Sequence, residues 1–152
     1  MQTFLPYADP LASARALDWK RLGNQRVEAN LIIKILSDPG LWDKSRWKHH
    51  PALLMWDGHL EALKLYYNMM VAEWIKRGYK NNMPLYEIWD ESVVFPYWFG
   101  LPKFHKSHRA NLKRKAMMGN LEEWYSSTLL DYNDLDPEMP YWWPVTWEKT
   151  NG

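Results

Sequence analysis

Glu28 stands in a stretch that repeats along one face of a helix. Arg21, Gln25, Glu28, Ile32 and Ile35 step by four, three, four and three residues, the spacing that stacks side chains above one another. The stripe starts polar and basic and ends apolar, with Glu28 where it changes. Its neighbours three and four residues away are Asn24, Gln25, Leu31 and Ile32, none of them a cation, so the usual helix ion pair does not form. A carboxyl group between aliphatic side chains and Arg21 suits general acid/base chemistry. The alternative is a surface glutamate turned toward water. Lys20, Arg21 and Arg26 lie within seven residues and could hold phosphates on either side of a reacting nucleotide, or form only a solvated basic turn.

A second concentration of charge lies later in the chain. From Leu101 to Leu121 there are six basic residues and no acidic ones, and from Glu122 to Glu138 six acidic and no basic ones. A net charge of +1 therefore still allows a basic face that tracks a nucleic-acid backbone, although two solvated faces of opposite sign would read the same way. Lys106, Arg109 and Lys113 share one helical face, Arg114 lies beside them, and Ser107 and Asn111 add neutral donors. The tail aromatics Tyr141, Trp142, Trp143 and Trp147 could stack on an unpaired base or plug an edge of the core.

His49-His50 and the His105/His108 pair raise the possibility of a shared metal, but no acidic residue stands among them in a metal-binding motif. No metal is expected, and contacts to phosphate or helix ends are the alternative. There is no cysteine, which excludes disulfides, thiolate metal sites and cysteine nucleophiles. Glycine-rich phosphate loops, Gly-x-Ser-x-Gly elbows and His-Glu-x-x-His are also missing, so nucleotide-dependent and serine-hydrolase chemistry has no support.

These groups must be positioned by helices. The 152 residues fit a single domain, 1–152. Asp9-Pro10 predicts a helix start, and Asn24 to Leu36 predicts a second helix, with Gly23 as a bend or break before it. A loop over Leu41–His50 precedes Pro51, which opens the longest apolar repeat: Leu53, Trp56, Leu60, Leu63, Tyr67, Met70 and Trp74. Gly78 predicts its stop. Residues 81–102 read as irregular. Ser107 predicts the cap of a helix over His108–Met118, with a short helix near Leu121–Leu130. No strand alternation is present, so the fold class is all-α: about three main helices with long Trp- and Pro-rich loops. Without a signal-peptide pattern or a membrane-length apolar run, the expectation is a cytoplasmic protein with no membrane partner.

Four blocks together resemble a known family: Met1–Tyr7 with Leu17–Glu28, Trp47–Trp56, Trp74–Tyr79 and Phe104–Lys115. In order and spacing they are similar to the pyrimidine-dimer DNA glycosylases, the phage endonuclease V-type repair enzymes, and within them to a bacterial and phage branch. The resemblance implies a compact three-helix protein, monomeric, acting on duplex DNA with a lesion and using no metal, cofactor or nucleotide. It implies a bifunctional reaction: the chain's own α-amine attacks the deoxyribose C1′, the base leaves, a Schiff base forms, and a glutamate assists the β-elimination that nicks the strand. The run Arg26-Val-Glu28-Ala29 aligns Glu28 with that glutamate. The bulk of Gln2 should retain Met1, making its amine the nucleophile. DNA contacts are then expected from Gln2, Lys20, Arg21, Gln25, Arg26, His49, His50, Lys106, His108, Arg109, Lys113 and Arg114, and Trp124-Tyr125 matches an aromatic pair of the family. A glycosylase for a modified phage base without lyase activity, a non-catalytic binder of distorted DNA, and a metal-dependent nuclease using His49, His50, His105 and His108 are the competing readings.

Overall fold

A computed structural model describes residues 1–89, 91, 93–118 and 138–144 of the chain. Six helices and no strand occur among them: α1 (Pro10–Ala16), α2 (Trp19–Ser37), α3 (Pro39–Lys44), α4 (Pro51–Leu54), α5 (Leu60–Lys76) and α6 (Pro102–Met118). The fold is all-α, and α2, α5 and α6, at 19, 17 and 17 residues, are the three long helices. The short helix expected near Leu121–Leu130, Trp124-Tyr125 and Trp147 lie outside the described residues.

Capping explains where most helices begin. The Asp9 carboxylate accepts the Leu11 and Ala12 N–H groups with Pro10 in the first turn, where a missing donor costs nothing. Asp18 caps α2 by accepting from Arg21 N–H, so α2 starts at Trp19, upstream of the expected Asn24. Gly23 does not break it. Its missing side chain instead makes room for the Trp74 ring of α5, because a Cβ there would sit 3.0 Å from that ring. Asp38 accepts from Gly40 and Leu41 N–H to cap α3, a helix that enters the stretch expected to be loop.

The long repeat from Pro51 divides into two helices. Gly58 has φ +84, a left-handed conformation that ends the turn after α4 and that other residues adopt only with strain. Leu53 and Trp56 before the break, and Leu63, Tyr67 and Met70 after it, are all buried. The break redirects the backbone without changing which side chains face inward. Gly78 ends α5 as expected: its N–H bonds the Ile75 carbonyl and Tyr79 N–H bonds the Trp74 carbonyl, the paired pattern of a Schellman motif. Helix α6 begins at Pro102, ahead of Ser107, whose hydroxyl is buried and donates to the Phe104 carbonyl.

The core lies where α2 crosses α5, with α1 against α5. Leu22, Ala29, Ile32 and Ile33 of α2 meet Leu63, Tyr66, Tyr67 and Met70 of α5, and Trp56, Trp98 and Phe104 close the cluster. Arg77 ties α1 to the end of α5: it donates to Glu73 and to the carbonyls of Ala14, Arg15 and Leu17 at the C-terminal end of α1, where intrahelical donors run out. No helix among the described residues is long and apolar enough to cross a membrane.

The Trp74 ring over Gly23 cannot readily move. Its indole N–H donates to the Lys80 carbonyl, Tyr79 lies against it and the Arg26 guanidinium covers it at 4.1 Å. Gly23→Val is therefore expected to lower stability by about 1–3 kcal/mol, despite a better helix propensity, as read from the urea midpoint.

Candidate active site

Gln25 is 1% exposed and connects the chain's beginning to Glu28. Its Nε2 donates to the Gln2 carbonyl at 2.9 Å and to Glu28 Oε2 at 3.1 Å. Both partners are acceptors, which fixes the orientation of the amide. Oε1 then accepts the Tyr66 hydroxyl at 2.5 Å. The Gln2 N–H itself donates to Glu28 Oε2 at 3.3 Å. One carboxylate oxygen thus meets both a side-chain amide and the first peptide N–H of the chain, immediately after Met1. Met1 and Glu28 line a common cleft of about 350 Å³, with Lys20, Arg21, Asn24 and Lys115 among its other walls.

Residues 2–7 reach that cleft as an irregular strap held by side chains. Phe4 N–H donates to the Tyr66 hydroxyl at 2.9 Å, and the Tyr141 hydroxyl donates to the Thr3 carbonyl at 2.9 Å. The Trp56 indole N–H donates to the Thr3 hydroxyl. Leu5 N–H donates to His108 Nδ1 at 3.0 Å, so His108 carries its proton on Nε2. Gly100 N–H donates to His105 Nε2 at 2.8 Å, which leaves His105 Nδ1–H to donate to the Leu5 carbonyl at 2.8 Å. Arg109 donates to the Pro6 carbonyl at 2.7 Å, and Ser13 exchanges bonds with both backbone groups of Tyr7. Burial pushes His105 below the ordinary imidazole range and His108 well below it. Both are neutral, as their bonds require. Burial likewise raises the Tyr66 and Tyr141 hydroxyls, keeping them protonated donors.

The residues expected to touch DNA separate into several groups. Gln2, Lys20, Arg21 and Gln25 do come together in the cleft. Arg21 also pairs with Asp18 at 2.9 Å, and Gln25 is occupied in orienting Glu28. Arg26 points elsewhere, covering Trp74 and donating to Asn81 Oδ1 at 2.7 Å. His50 Nδ1 accepts from Ala52 N–H to cap α4, and its ring meets Trp47 and Trp143 edge-on. Burial first, and then the positive chain terminus, lower its pKa, which sets His50 within electrostatic reach of Met1. His49 and Lys106 are exposed, and Lys113 and Arg114 half-buried. Arg114 donates to the Met139 carbonyl and Asn111 Oδ1.

One expectation changes. His108, expected at the DNA surface, is fully buried and holds Leu5; its neighbour at i−3, His105, holds the same residue. Among the described residues no three His, Asp or Glu side chains gather as metal ligands. Of the tail aromatics, Tyr141 stacks on His108, Trp142 meets Phe104 and Trp143 meets His50, so these three pack against the protein. Of the cleft residues outside the expected site, Phe4, Asn24 and Lys115, the charged one is Lys115. Its signal was present, because His108, Asn111 and Lys115 step by three and four on α6, which continues the inward face. Burial first, then Arg21 and Arg114, lower the Lys115 pKa, and Glu28 opposes them.

A helical scaffold that brings a chain terminus and a carboxylate into one cation-walled cleft has the form of an enzyme that handles a polyanion. Residues 1–87 match the family model described as pyrimidine dimer DNA glycosylase, more than half of the chain. The chain belongs to the pyrimidine dimer DNA glycosylase family, which makes it a DNA-repair enzyme of the glycosylase type, with damaged DNA as substrate. No curated protein and no solved structure matches it.

Two outcomes follow from this geometry. In the unfolded chain a histidine titrates near about 6.5, whereas His105 and His108 stay neutral when folded. Below about pH 6.5 the unfolded state therefore binds more protons, and stability falls by up to about 1.4 kcal/mol per pH unit for each histidine. Thermal melts from pH 7.5 down to 5 are expected to show this fall, and His108→Asn, which keeps an acceptor for Leu5 N–H, to flatten it. Gln25→Ala strands the Gln2 carbonyl, leaves the Tyr66 hydroxyl only the Phe4 carbonyl as acceptor, and is expected to cost about 1–3 kcal/mol in denaturant unfolding. Gln25→Glu, which sets an acceptor against Glu28 and the Gln2 carbonyl, is expected to cost more.

Proposed function

We propose that the protein is a DNA glycosylase and AP lyase in which the Met1 α-amine is the nucleophile and Glu28 the general acid/base. It excises pyrimidine dimers, or another damaged or modified base, as a monomer and without metal or nucleotide cofactor. The observation that carries this reading is the bond from Gln2 N–H to Glu28 Oε2, with Met1 and Glu28 on the walls of one cleft.

The chemistry fits these groups. An α-amine titrates at about 7.7–8.0 in model peptides, against about 10.4 for lysine, so more of it is neutral and nucleophilic at physiological pH. Its lone pair attacks C1′, and the glycosidic bond breaks with the electron pair leaving on the base, which takes up a proton. The second N–H proton is lost as the sugar opens to the imine. Glu28 then accepts the C2′ proton, the C3′–O bond breaks, and the 3′ phosphate leaves. In this reading Lys20 and Arg21, on the walls of the same cleft, hold phosphates beside the lesion, with exposed Lys106 as a further contact. A target atom inside a duplex is reached by extruding a nucleotide, for which the cleft offers space.

Borohydride reduction of the protein mixed with dimer-containing or abasic duplex is expected to trap a covalent adduct. Glu28→Gln is expected to lower strand cleavage by at least about 10²-fold with DNA binding retained. An intact-mass measurement should show Met1 present with its amine free. Absence of both adduct and base release rejects the proposal, and an unchanged Glu28→Gln variant that only binds DNA favours a non-catalytic module.

A further inference from the structure

The cleft holds a second amine that is neither the chain terminus nor fully exposed. Lys115, near the C-terminal end of α6, is half-buried, whereas Lys20 on α2 is exposed. Lys115 lines the same cavity as Met1, Gln2 and Glu28, so helices α2 and α6 and the strap converge on one volume. Burial above all, and then Arg21 and Arg114, disfavour its proton, while Glu28 favours it. A lysine so placed holds its proton less firmly than a surface lysine and is a better nucleophile at neutral pH. A phosphate clamp is the simpler use of a lysine beside arginines. The Glu28 carboxylate on the same cleft gives Lys115 a group with which to exchange a proton, which a clamp would not need.

We propose that Lys115 is a second imine-forming amine of this site, which takes the abasic sugar once the base has left. The proposal rests on the glycosylase and lyase reading for its substrate. Lys115 Nζ adds to the C1′ aldehyde of an open abasic sugar and the carbinolamine loses water. Alternatively Nζ adds to an imine already formed with Met1, whose amine then leaves with a proton. The C2′ proton passes to Glu28, the C3′–O bond breaks, and the 3′ phosphate departs with the electron pair. Hydrolysis of the remaining imine returns the lysine. Dividing the work between Met1 and Lys115 would separate base release, at the terminus, from strand cleavage, at the helix.

The test is borohydride trapping on abasic duplex with four proteins: wild type, wild type whose terminal amine has been converted to a ketone by mild transamination, and Lys115→Arg with and without that conversion. Arginine keeps the charge but forms no stable imine. Wild type lacking its terminal amine is expected to retain at least a tenth of the trapped product, with the sugar on Lys115, seen by tandem mass spectrometry as a peptide uncut by trypsin at that residue. Converted Lys115→Arg is expected to lose that product at least tenfold. Trapping at Met1 alone, abolished by conversion and untouched by Lys115→Arg, overturns the proposal and leaves the glycosylase reading standing. So does a loss of DNA affinity in Lys115→Ala with the adduct still at Met1, the signature of a phosphate clamp. No adduct with untreated wild type rejects both readings.

Discussion

Residues 2–7 cross the interior with no neighbouring strand and no helix of their own, so their peptide groups need partners from elsewhere. An unpaired buried peptide group costs as much as a lost hydrogen bond or more. The partners come from side chains: Gln25 from α2, Tyr66 from α5, His105, His108 and Arg109 from α6, and Tyr141 from the tail. Three helices and the tail must therefore be in register before the strap can be buried. The same requirement brings the first residues of the chain beside Glu28.

This constraint accounts for the unusual polarity of the core. Thr3, Ser13, Gln25, His105 and His108 are all buried, where an apolar core would be simpler. Each serves a backbone group or another polar side chain, and the two histidines can do so only as neutral imidazoles of opposite tautomer. Such a network tolerates little slack, since removing one member strands the others. The network orders residues 2–7, although a chain end is ordinarily among the most mobile parts of a domain.

Charge is distributed with a similar economy. The net charge is +1, yet the cleft is walled by Lys20, Arg21 and Lys115, with Glu28 the only acidic residue on it among the described residues. Arg26, Arg77, Arg109 and Arg114 are turned to internal partners instead: an indole ring, helix-end carbonyls, the Pro6 carbonyl and the Met139 carbonyl. Arginine suits this use because its planar fork can satisfy several fixed acceptors at once. A basic residue in this sequence can therefore be a structural tie, and only its surroundings tell it from a charge left facing solvent.

The all-α class, the starts at Asp9-Pro10 and Pro51, the stop at Gly78 and the placing of Gln25 and Glu28 on one face of a helix were legible in the sequence. Each depends on short-range rules: capping, the conformational freedom of glycine, and which side chains recur on one helical face. The division of α4 from α5, the passage of α2 through Gly23, the burial of His108 and the inward packing of Tyr141, Trp142 and Trp143 were decided by tertiary structure. Gly23 reads as a helix breaker until the Trp74 ring is seen against it, and His108 reads as a DNA contact until Leu5 is found at its Nδ1. The union of Met1, Glu28 and Lys115 in one cleft belongs to the same group. Residues so far apart in the chain meet only because burying the strap requires partners from distant helices, and no local pattern encodes which partners those are.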